Sequence, residues 1–122
     1  MYAERHVVTL TTNSSGAATG YTPVITGRII SIQYVKDDFA TGVDFAITLE
    51  ATGQGLWSQS DVNASATVAP RQPTHDNAGA ASLYASTGEP VEDYIVAVED
   101  RVKIAITNGG DTKGGTFHVV VG

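Results

Sequence analysis

The chain contains no cysteine. No disulfide can brace it and no thiolate can hold a metal, so its 122 residues depend on an apolar core. That length fits one domain able to bury roughly two-thirds of its unfolded surface. A cysteine-free chain also fits a reducing cytosol or a particle assembled there. Charged residues are scarce at 16%, and Ala, Gly, Ser, Thr and Val take their place, the profile of a β protein with small-residue loops. Basic residues are scarcest: seven Lys and Arg stand against 13 acids, for a net charge of −6. Arg5, Arg28, Arg71 and Arg101 are scattered, as are Lys36, Lys103 and Lys113. Nucleic acid is therefore not an expected partner, because phosphate contacts need clustered cations. The acidity reads either as solubility or as electrostatic docking onto a basic surface. No apolar run approaches the ~18 residues of a membrane span. Met1–His6 lacks the basic and apolar regions of a signal peptide. A soluble protein without a general secretion signal and without a membrane partner is expected.

Helical periodicity is missing beyond two turns, and no internal repeat is evident. Two-residue alternation takes its place. In Arg101–Thr107, Val102, Ile104 and Ile106 share a face. In Thr116–Val121, Phe117, Val119 and Val121 do the same. The glycine-rich stretch Asn108–Gly115 joins them, so the pair reads as an antiparallel hairpin with one buried face. Val43–Glu50 alternates cleanly, with Val43, Phe45, Ile47 and Leu49 turned inward. Arg5–Thr12 puts Val8, Leu10 and Thr12 on one face, Asn13–Gly16 is a turn, and Ala17–Tyr21 is read as a possible return strand. Gly27–Lys36 groups Ile30, Ile32 and Tyr34 with Arg28, against Ile29 and Val35. Val91–Glu99 groups Tyr94, Val96 and Val98. Seven or eight short strands punctuated by turns predict an all-β, single-domain antiparallel β-sandwich over residues 1–122, jelly-roll-like in form.

Residues 58–90 differ. They are polar and hold three of the four prolines. So long a structureless loop is uncommon in a compact domain. Two readings stand together here: short strands near Ala66–Ala69 and Ala81–Ala85, and an arm lying on a neighbouring subunit. The arm reading centres on Ala69–His75, with Arg71 as its polar anchor and Pro73 and His75 beside it, since a guanidinium pairs with a carboxylate in a bidentate way. Trp57, the one tryptophan, is read as a core or interface anchor.

No motif for catalysis, cofactor or metal emerges. His6, His75 and His118 have no metal-ligand spacing. His118 should alternate outward, and His75-Asp76 is the best isolated pair, against an ordinary polar loop contact. Asp37, Asp38 and Asp44 lack the spacing of a calcium loop. Glu92-Asp93 and Glu99-Asp100 read as charged turns, and nothing selects two acids as glycosidase carboxylates. There is no Gly-x-Ser-x-Gly, and Gly109-Gly110 and Gly114-Gly115 read as turn glycines rather than a phosphate cradle. Trp57, Tyr84 and Tyr94 offer a conceivable sugar platform, although core packing also explains such aromatics.

Three segments carry a resemblance: Met1–Thr12, Gly27–Lys36, and Asp100–Thr107 with Gly115–Gly122. In these the chain resembles small all-β virion accessory proteins of tailed bacteriophages, the decoration or cement proteins of the head and related head-fibre bases. The resemblance implies a non-enzymatic virion protein, assembled in the host cytoplasm, that binds the major capsid protein on the outside of the head. It also implies a homo-oligomer, a trimer in preference to a dimer. It carries over no catalytic residue and no cofactor. The alternatives are a tail, neck or fibre-attachment component, or a carbohydrate-binding β-sandwich module.

Overall fold

The computed structural model describes residues 2–122. Among them are ten strands and no helix: β1 Glu4–Thr11, β2 Ala18–Tyr21, β3 Ile25–Lys36, β4 Val43–Leu49, β5 Gly55–Val62, β6 Ala66–Val68, β7 Arg71–Pro73, β8 Glu92–Asp100, β9 Val102–Thr107 and β10 Gly114–Val121. All pairing is antiparallel. A six-stranded sheet runs β1-β10-β3-β8-β7, with β6 also on β3, and a four-stranded sheet runs β2-β9-β4-β5. The two sheets pack as a β-sandwich around one apolar cluster.

The pairing is nested. β1 joins β10, β2 joins β9, β3 joins β8, and β4 joins β5. A long ribbon folded at the β4–β5 hairpin and then rolled up gives this order. Rolling adds the contacts of β10 with β3 and of β9 with β4. The expected hairpin of Arg101–Thr107 with Thr116–Val121 is therefore corrected: β9 and β10 belong to opposite sheets. Their apolar faces still meet, across the sandwich, with Val102, Ile104, Phe117 and Val119 fully buried. Likewise Ala18–Tyr21 pairs with β9 and not with β1. Gly20 lies beneath Val8 and Leu10 of the opposite sheet.

A bulge resets β3. Val120 pairs with Ser31 but Val121 pairs with Ile29, which leaves Ile30 as the extra residue. Ile29, Ile32 and Tyr34 are all fully buried as a result, and Arg28 is partly exposed opposite Val96. The expected grouping of Arg28, Ile30, Ile32 and Tyr34 on one face is thus corrected. In β4 the alternation holds without a break: Val43, Phe45, Ile47 and Leu49 are buried. In β8 the core side is Ile95 and Ala97, so Tyr94, Val96 and Val98 form the outward row.

Gly114 and Gly115 open β10 instead of making the turn. Gly115 is buried beneath the ring of Phe39, which explains a missing side chain in an ordinary strand backbone. Gly110, with φ of 88°, is the residue of this stretch that uses glycine's conformational freedom.

Candidate functional site

Residues 58–90 resolve into structure. Ser58–Val62 completes β5, β6 pairs with Ile32–Tyr34 of β3, and β7 pairs with the first residues of β8. The expected strand at Ala66–Ala69 is found as β6. Ala81–Ala85 contributes only isolated bridges, His75 to Ala81 and Leu83 to Pro90. These bridges belong to a small meander over residues 74–91. Ser82 N–H donates to the Thr74 carbonyl at 3.0 Å, Val91 N–H to Ser82 at 2.8 Å and Tyr84 N–H to Glu89 at 3.1 Å. None of residues 71–91 is buried. The meander carries Leu83 and Tyr84 outward, 40% and 75% exposed.

The four expected interface residues do not converge. Arg71 is in β7, paired opposite Tyr94. Its guanidinium lies 4.0 Å from the Tyr94 ring centre, and Arg28 covers the same ring at 4.9 Å. Nη1 of Arg71 donates to the carbonyls of Pro70, at 2.7 Å, and Ile30, at 3.4 Å. The anchor is thus seated on its own chain. Pro73 ends β7, and His75 starts the exposed meander. Trp57 is elsewhere, in β5 of the other sheet. Of its two expected roles the structure shows the core one: it is 8% exposed, packs edge-on against Phe45 at 5.5 Å, and donates its indole N–H to Gln59 at 2.9 Å. Trp57, Tyr84 and Tyr94 share no platform: the first is in the core, the second on the meander, the third under two guanidiniums.

The histidines are also separate. His118 is on the outward side of β10, where Nη1 of Arg5 lies 3.3 Å from its Nδ1. His6 Nε2 lies 3.4 Å from the Glu4 carboxylate. Asp76, beside His75, accepts hydrogen bonds from the N–H groups of Ala78 and Ala80 at 2.9 and 3.0 Å, so its carboxylate shapes a turn. Among the described residues no three His, Cys, Asp or Glu side chains are grouped to hold a metal ion. An open depression of about 190 Å³ lies at one end of the sandwich, lined by Tyr2, Glu4, Val24, Ile25, Thr26, Val121 and Gly122.

Two features escaped the sequence. One is the Arg28–Tyr94–Arg71 stack, whose members are scattered along the chain; the Tyr94, Val96, Val98 row was the available signal, but alternation does not tell which face is buried. The other is the apolar content of the outer face, where Val7, Val96 and Val98 are 55%, 50% and 68% exposed.

No family model, curated protein or solved structure matches this chain. The residues themselves therefore carry the functional argument.

Proposed function

We propose that the chain is a non-enzymatic structural protein of a tailed-bacteriophage particle. It decorates the outside of the assembled head, bound to the major capsid protein as a homo-oligomer, a trimer in preference to a dimer. The carrying observation is the meander of residues 74–91. It is hydrogen-bonded to itself, has no buried residue, and holds Leu83 and Tyr84 in solvent beside a sandwich with a separate core. Large apolar side chains held out on an ordered loop favour contact with a neighbouring molecule. The nested strand order supports the jelly-roll form of the sandwich, and the resemblance of Met1–Thr12, Gly27–Lys36 and the C-terminal strands to virion accessory proteins supports the particle. A part that binds the assembled lattice and not free subunits stabilises the shell by mass action, and repetition about a symmetry axis turns weak contacts into avidity.

Sedimentation of the purified protein with tailless heads, and separately with isolated tails, of the phage that encodes it tests this reading. Saturable binding to heads alone is expected, with a trimer on elution. Binding to tails alone would assign the protein to the tail, neck or fibre attachment. Binding to neither particle would overturn the virion reading.

A further inference from the structure

The six-stranded sheet carries Arg5, Arg28 and Arg71 on a chain that is acidic overall. Thirteen acids give the protein a net charge of −6. Yet β3, β6, β7 and β10 contain no acid, and the acids of the remaining two strands, Glu4, Glu92, Asp93, Glu99 and Asp100, all fall within two positions of a strand end. The arginines of this sheet fall in two places: Arg5 on the edge strand β1, and Arg28 with Arg71 toward the other edge. Arg5 meets His118 across the β1–β10 pair, and Arg28 and Arg71 enclose Tyr94. Val7 and Val96 stand exposed beside these cations. Nε of Arg28 donates to the Gly122 carbonyl at 3.2 Å, whereas within the Arg71 guanidinium only Nη1 makes a hydrogen bond to the described residues, which leaves its Nε and Nη2 without one. A guanidinium stacked on an aromatic ring keeps its in-plane N–H groups for a planar carboxylate.

We propose that the outer face of this sheet docks an acidic protein surface, one that presents carboxylates among apolar side chains. The inference rests on the decoration reading, under which that surface belongs to the outside of the shell. Charge complementarity selects the occupant. A nucleic acid fits less well, because the interleaved valines would gain nothing from a phosphate backbone and the few cations are too scattered to follow one. The cations project from paired strands, so little ordering entropy is lost on docking.

Short poly-L-glutamate, titrated into isotopically labelled protein and followed by nuclear magnetic resonance, probes the face without a phage. Expected are shifts confined to Arg5, Arg28, Arg71, His118 and their neighbours, fading as salt is raised. Val7→Glu adds a carboxylate at an exposed outward position, and Arg71→Gln removes one charge. Each should weaken binding by about tenfold, with the melting temperature of Val7→Glu unchanged. No shifts, shifts elsewhere, or larger shifts at this face with oligothymidylate would overturn the proposal. In head sedimentation, Val7→Glu binding as well as the parent overturns the face while decoration stands. Poly-L-glutamate binding at the face by a parent protein that ignores heads supports the face and overturns decoration.

Discussion

Thr12 and Lys113 hold each other through two reciprocal hydrogen bonds. The N–H of Thr12 donates to the carbonyl of Lys113 at 2.8 Å, and the N–H of Lys113 donates to Oγ1 of Thr12 at 2.8 Å. The same hydroxyl donates to the carbonyl of Gly110, and Thr12 is only 3% exposed. One side chain thus fastens the β9–β10 loop to the end of β1. Thr12→Val keeps the shape and the β-branch but removes the partner of a part-buried N–H and a carbonyl. A loss of about 1–3 kcal/mol is expected. It would be read as a lower urea midpoint at unchanged m-value, with Thr12→Ser recovering most of it.

Tyr34 is fully buried against Phe45 and Phe117, at ring separations of 4.7 and 5.1 Å, and its hydroxyl has no hydrogen-bond partner among the described residues. Burial pushes its pKa above the ordinary tyrosine value, with the charge of Asp37 adding to the effect. The unfolded chain therefore releases this proton first, near pH ~10, and stability falls as pH rises from there through the folded-state value. Tyr34→Phe should raise stability at neutral pH by about 1 kcal/mol. It should also flatten the alkaline decline of the melting temperature. A less stable phenylalanine variant would contradict the unsatisfied hydroxyl.

Asp44 ties the end of β5 to the β9–β10 loop. It accepts from the N–H of Asp61 at 2.9 Å and from the side-chain amide of Asn108 at 2.7 Å, and both partners are left-handed, with φ of 56° and 57°. These bonds, the first more than the second, hold its carboxyl below the usual carboxylate range. A depressed folded-state pKa means a contribution present above the unfolded value, about 4, and lost as pH falls through the folded one. Asp44→Asn should melt lower than the parent at neutral pH and show a shallower loss on acidification. Parallel melting curves from neutral to acid pH for the two proteins would refute the assignment.

A methyl group on Gly115 would fall on the ring of Phe39. Gly115→Ala is expected to lower stability by about 1–3 kcal/mol through overpacking. Gly55→Ala is the control, because nothing lies within 4 Å of its added carbon. Trimming the ring in Gly115→Ala/Phe39→Leu should restore part of the loss. Thermal melts of the four proteins check this.

Alternation made the core faces of β4, β9 and β10 legible, because a period of two with large apolar residues has only one economical burial. The partners of β9 and β10 were not legible. A glycine-rich link satisfies a hairpin and a crossing between sheets equally well, and the choice depends on the earlier strands, which occupy the neighbouring positions. The phase of β3 was hidden by the bulge at Ile30, which leaves no mark in a run of β-branched residues. For the candidate surface, Arg71 and its neighbours were identifiable as a cluster in sequence. Tyr94 and Arg28 were not, since only the folded register brings β3, β7 and β8 side by side.

Nested pairing also orders events in time. β10 lies between β1 and β3, so an inner position of the larger sheet is filled by a strand that leaves the ribosome after the other nine. Until it arrives, β1 has no neighbour in its sheet and Val8 and Leu10 have no strand beside them to close the core. Closure of the sandwich thus waits for a contact between residues 4 and 121, a long loop that makes folding slow and late, as high contact order requires.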